Sequence, residues 1–108
     1  MESRMRWRFL VAGLPVPRVQ VELRDGGRRH RLDLGWEDQR VGAEFDGLEA
    51  HTTRSQPAAD RDRHDWVTER GWCLLHFTAV DVFRQHERMV ATVQRHLGNV
   101  PRRVITAP

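Results

Sequence analysis

Two short stretches constrain this chain more than any others: RLDLGW from Arg31 to Trp36, and VGAEFDGLEAH from Val41 to His51. Both carry the two-residue alternation of a strand, and only the Glu37 to Arg40 segment separates them, so they read as the arms of one antiparallel hairpin. A turn centred between Asp38 and Gln39 sets Asp33 directly opposite Glu44. Glu44 and Asp46 then share one face while Ala43 and Phe45 take the other, and Leu32 and Leu34 point to the core with Asp33 pointing away. Asp33, Glu44 and Asp46 therefore crowd a single patch, and His51 follows on the loop that leaves it.

Like charges facing each other across a strand pair cost up to about 1 kcal/mol, so a fold that gathers them normally supplies a cation. Two sources are open. A hard divalent ion such as Mg²⁺ takes carboxylate oxygens and leaves its other positions to water and phosphate. Alternatively, some of the 18 basic residues neutralise the patch in a structural network of ion pairs. A nearby imidazole, His51, favours the first source, because it is a candidate general base.

The remaining elements follow from pattern and punctuation. Ser3 is a candidate cap for a first helix that carries Met5, Phe9 and Leu10 on one side and ends at Gly13, ahead of Pro15 and Pro17. Arg4 and Arg8 form a solvated basic stripe on it. Val19, Val21 and Leu23 alternate with polar residues as a strand with one buried face, and Asp25-Gly26-Gly27 turns it into a strand from Arg28 to Gly35. Pro57 suits the first position of a helix running to about Arg70 and stopped by Gly71. That helix is rich in charge, with Ala59, Trp66 and Val67 its only apolar stripe. Trp72 to Phe77 reads as a fully buried strand. Thr78 with Asp81 makes a capping box for a final helical region, whose core stripe is Met89, Val90, Val93 and Leu97 before Gly98. The expectation is one α/β domain over residues 1–98, of order αβββαβαα, with a four-stranded mixed sheet and the acidic patch on one face near an edge. Residues 99–108 read as a flexible tail.

Composition narrows the function classes. At 108 residues the chain is long enough for a single core. Its formal charge of +3 makes nucleic acid the default partner, although so modest a charge equally serves solubility. The lone Cys73 excludes an internal disulfide and suits a reducing compartment, with Cys73 itself expected as a buried strand residue. No stretch is long and apolar enough to span a membrane, and MESRMRWRF lacks the apolar core of a signal peptide, so residence in the cytoplasm is expected. No histidine pair has the spacing of a helical zinc site, and one cysteine cannot build a structural cage. Gly26 and Gly27 lack the phosphate-loop pattern, so no nucleotide cofactor is expected, and Ser55 lacks a nucleophile elbow. Packing is the expected role of Trp7 and Trp36, although aromatic residues of this kind also wedge between base pairs.

The order of a Glu-containing helix, a strand, RLDL, AEFDG followed by His, a polar helix and GWCLLHFT resembles the Vsr-like group of the PD-(D/E)xK nuclease superfamily, relatives of the very-short-patch-repair endonucleases. The similarity runs from about Glu2 to Leu97. It implies a restriction-endonuclease-like αβββαβα core and a Mg²⁺-dependent phosphodiesterase, with Mn²⁺ able to substitute. On that resemblance Asp33 is the metal-binding aspartate, Glu44 and Asp46 stand at the Glu-x-Lys positions, His51 activates water, and Glu2 completes the site from the first helix. All basic residues are arginine, so the superfamily's lysine is missing and Asp46 stands in its place, as in Vsr-like relatives. His76 is a second departure, since relatives usually place arginine there.

The working expectation is thus a metal-dependent DNA endonuclease. Asp33, Glu44 and Asp46 hold one or two Mg²⁺ ions, His51 takes the proton of the attacking water, and Arg31, Arg54, Gln56, Arg61 and Arg63 hold the phosphate backbone. The partner is DNA and the chain a monomer or weak homodimer. The alternative is a catalytically inactive nuclease scaffold serving as a DNA-binding or toxin/antitoxin-type interaction module. Small size and the missing lysine favour that second class.

Overall fold

A computed structural model describes residues 2–46 and 57–98. Helix α1 (Glu2–Val11) is followed by strands β1 (Arg18–Asp25), β2 (Arg28–Trp36) and β3 (Val41–Phe45), helix α2 (Pro57–Glu69), strand β4 (Cys73–Phe77) and helices α3 (Ala79–Phe83) and α4 (His86–Leu97). The strands form one sheet in the order β1-β2-β3-β4, antiparallel through β3 and parallel between β3 and β4. The expected element order and the mixed four-stranded sheet flanked by helices are both present.

Helices α1, α3 and α4 cover one face of the sheet. Met5 and Phe9 of α1 and Met89, Val90, Val93 and Leu97 of α4 pack there with Leu34, Trp36, Val41 and Ala43. Trp36 meets Phe9 edge-on at 5.3 Å and donates its indole N–H to the Pro15 carbonyl at 2.7 Å, so its polar atom is satisfied inside the core. A smaller cluster lies on the other face, where Trp66 and Val67 of α2 pack with Val21, Leu32, Trp72 and Leu74. Gly35 and Gly42 pair across β2 and β3 and leave room for it. A Cβ on Gly35 would come within 2.8 Å of Val21, and one on Gly42 within 2.9 Å of Leu32.

The structure departs from the sequence expectations at several residues. Leu32 and Leu34 belong to opposite clusters, because the strand pair reverses its faces between them. At that level Gln20 adopts a left-handed backbone, φ 55°, between the pairs Val19↔Leu34 and Val21↔Leu32. The same kink exposes Val19. Ser3 lies inside α1, which already begins at Glu2. Arg8 is half-buried, its Nε donating to the Val82 carbonyl at 3.0 Å, so it ties α1 to α3 and does not belong to a solvated stripe. Trp7 is 46% exposed, on the side of α1 away from Met5 and Phe9, with the Arg4 and Arg8 guanidinium groups over its ring. Strand β4 is not fully buried: among the described residues it is the edge of the sheet, with His76 exposed and Cys73 half-buried. Burial nevertheless pushes the Cys73 thiol pKa up.

Other local signals hold. The Gly26-Gly27 turn joins Asp25 to Arg28, with Gly26 at φ 62°. Gly71 at φ 88° follows the end of α2. The Asp81 carboxylate accepts the Thr78 N–H at 2.8 Å at the start of α3. Among the described residues, no helix is long and apolar enough to cross a membrane.

Candidate active site

The turn between β2 and β3 is closed by the Arg40 N–H on the Glu37 carbonyl, 3.3 Å, and the ladder runs Trp36↔Val41, Gly35↔Gly42, Leu34↔Ala43. One further step along this register sets Asp33 against Glu44, as the turn geometry requires. The Asp33 side chain reaches sideways to the neighbouring strand, where its Oδ2 accepts the Phe45 N–H at 3.0 Å. On the other side of β3, the parallel register pairs Glu44 with His76. Asp33, Glu44 and His76 therefore form a transverse row across three strands. Asp46 extends it, its N–H held by the Phe77 carbonyl at 2.8 Å and its Oδ1 lying 3.2 Å from His76 Nδ1.

Helix α2 roofs this row. Asp60, Arg63 and His64 are spaced three and four residues apart and so lie on one helical face. With Arg61 they line a cleft of about 770 Å³ whose floor is Glu44, Asp46 and His76. The His64 and His76 rings stand 5.9 Å apart. Arg63 donates from Nη1 to Glu44 Oε1 at 2.7 Å and from Nη2 to Glu44 Oε2 at 2.6 Å, a two-pronged pair, and also to the Arg31 carbonyl at 2.8 Å. Glu44 is 8% exposed, and its hydrogen bonds raise the Arg63 pKa against the opposing effect of burial. Two charges leave water together here, and fork-to-fork geometry makes that tolerable. Nearby, burial lowers the His30 pKa, with Arg63 and Arg28 adding to the effect.

Of the residues picked out in the sequence, the structure brings Glu44, Asp46, Arg61 and Arg63 to the cleft. Asp33 is next to them in register but is engaged with the β3 backbone. Arg31 contributes its carbonyl, while its side chain is absent from the described lining. Glu2 accepts a hydrogen bond from Gln20 Nε2 at 3.1 Å and is not among the residues that line the cleft. His51, Arg54 and Gln56, like the 99–108 tail, lie outside the described residues. Arg63, expected on phosphate, holds Glu44. His64 also lines the cleft without having been expected there, and so does His76, which the sequence marked only as a departure from the arginine of similar proteins. Helical spacing would have found His64, whereas His76 reaches the cleft through the parallel register of β3 and β4, which local pattern does not give.

The donors suit a hard cation in type, since Glu44 and Asp46 are carboxylates two residues apart at one cleft. Among the described residues, no three His, Cys, Asp or Glu side chains are gathered into a ready metal site. Mg²⁺ does not require three: it commonly binds through one or two carboxylates, with waters and substrate phosphate completing the octahedron.

No family model matches the chain, and no solved structure matches it significantly. Uncharacterized proteins from two strains of Mycobacterium tuberculosis are each 34% identical to it over 98 residues, which is 90% of this chain. The chain spans 36% of the length of these curated relatives.

Proposed function

We propose that this domain is a metal-dependent endodeoxyribonuclease of the restriction-endonuclease-like type, close in kind to the Vsr-like nucleases, hydrolysing phosphodiester bonds of DNA. One observation carries the reading: the carboxylates of Glu44 and Asp46 floor a cleft lined by Arg61 and Arg63, and Asp33 lies beside them with its Oδ2 on the Phe45 N–H. The αβββαβαα order around a mixed sheet supports it. Glu44 and Asp46 would hold a divalent ion, with Asp33 beside them. Such an ion supplies Lewis acidity toward a phosphoryl oxygen.

The chain's own residues do the rest. Arg61 is exposed at the cleft and attracts the phosphate backbone. Arg63 is held against Glu44, and a phosphate entering the cleft offers it a second anion of matching geometry. His51 takes the proton of the attacking water, leaving a strand with a 5′ phosphate. His76, oriented by Asp46, occupies the position where a cationic side chain would meet substrate.

A second reading rests on the Arg63–Glu44 pair itself. With both Glu44 oxygens taken by a guanidinium, the scaffold would bind DNA or a protein partner without cutting. Incubation with supercoiled plasmid and with a mismatch-containing duplex, each with Mg²⁺, Mn²⁺ or EDTA, separates the two. A nuclease converts the substrate only with metal and loses turnover in Asp33→Ala and His51→Ala. A parent protein that leaves both substrates intact with either metal supports the non-cleaving scaffold and ends the hydrolase reading.

A further inference from the structure

We infer that the tip of the β1–β2 hairpin is a second phosphate-binding site, separate from the cleft, that grips the DNA backbone. The inference rests on DNA as the partner of the cleft. Arg24 and Arg29 are directly opposed across the two strands, and both are exposed. Such like-charge pairing is unfavourable to the isolated hairpin, as expected of residues that face an anion rather than each other. Glu22 is the neighbouring acid on this face. It accepts from Arg24 Nε at 3.1 Å and lies 3.9 Å from Arg29 Nη1, so one carboxylate is shared between two guanidinium groups. A basin of about 350 Å³ opens at the tip, lined by Arg24, Gly26, Gly27, Arg28 and Arg29. A Cβ on either glycine would meet nothing within 4 Å, so an approaching backbone is not obstructed.

The tip is also rigidly carried. On the α2 side of the hairpin, Arg28 pairs with Asp62 and Arg70 pairs with Asp25 at 2.7 Å. The Arg28 and Arg70 guanidinium groups both lie over the Trp66 ring, at 5.4 and 4.4 Å from its centroid. Arg29 stands four residues from Asp33 along β2, about 13 Å at a strand's rise of ~3.3 Å per residue, which is the rise of about four base pairs. A duplex with its scissile phosphate in the cleft therefore has backbone within reach of the tip.

The test is the salt dependence of duplex binding by the full chain, followed by anisotropy in EDTA so that no cleavage intervenes. Arg24→Ala/Arg29→Ala should reduce the slope of log K against log salt by about 1.8 and weaken binding about 60-fold at 0.1 M salt, two phosphate contacts being lost. The variant's melting temperature should stay close to the parent's, because the exposed Glu22 ion pairs it loses are weak and the Arg24–Arg29 repulsion it loses offsets them. An unchanged slope, with affinity within twofold of the parent, overturns the site. Poly-glutamate competing as well as duplex at equal charge overturns the assignment to DNA. A parent protein that leaves plasmid intact with Mg²⁺ and Mn²⁺ would refute the cleft's chemistry, while a reduced salt slope in the variant would still support the tip.

Discussion

Replacing Arg63 with Met isolates the most consequential contact in the cleft. The side chains of the Arg63–Glu44 pair are 27% and 10% exposed. Removing one partner of a buried ion pair costs about 3–5 kcal/mol, and the exposure of Arg63 puts this pair at the lower end. The bond to the Arg31 carbonyl adds about 1 kcal/mol. A total of about 3–4 kcal/mol corresponds to a fall in Tm of at least about 12 °C in a domain of this size. Differential scanning calorimetry of Arg63→Met, Glu44→Gln and the double variant gives the coupling directly. The double variant should be less destabilised than the sum of the singles by at least about 1 kcal/mol. Additive effects, or a fall of under about 3 °C in Arg63→Met, would show that the pair is not the electrostatic anchor of α2 over the sheet. If Glu44 also receives a divalent ion, Mn²⁺ should recover part of the Tm lost in Arg63→Met.

Other outcomes follow from the same structure. Gly71→Ala should cost about 1 kcal/mol in urea unfolding, because φ 88° disfavours a side chain and the new Cβ would sit 3.1 Å from Arg40 Nη1. The lowered His30 pKa means that the unfolded chain binds the proton more readily, so stability is complete above about pH 6.5 and declines as pH falls below it. A His30→Gln variant should lose that part of the pH dependence, measured as the urea midpoint between pH 7.5 and 5.5. Cys73, with its raised pKa, should react with a thiol reagent at pH 7.5 more slowly than free cysteine, and full-rate labelling would contradict its half-buried position on β4.

What the sequence disclosed was what depends on neighbours along the chain. The register of β2 against β3 was legible because a four-residue connection leaves little choice, and Asp33 facing Glu44 followed from it. The limits of α2 and the stripe of α4 were legible through Pro57, Gly71 and the spacing of Met89, Val90, Val93 and Leu97. Alternation failed at Gln20, where a single left-handed residue reverses the faces and sends Leu32 and Leu34 to different cores. It also failed for β4, since an apolar run does not reveal that its strand is an edge. The acids of the site were legible as a cluster, but their counter-charge was not. Which of 18 arginines reaches Glu44 depends on how α2 crosses the sheet, and that is fixed by Trp66 and Val67 packing on Leu32 and Leu74.

The account turns on whether the acids beneath α2 accept a divalent ion although Arg63 holds one of them. Calorimetric titration of the protein with Mn²⁺ tests this directly. The expected result is saturable heat that is lost in Asp46→Asn and strengthened in Arg63→Met. Absence of heat in both the parent and Arg63→Met would contradict the metal-dependent chemistry proposed for the cleft.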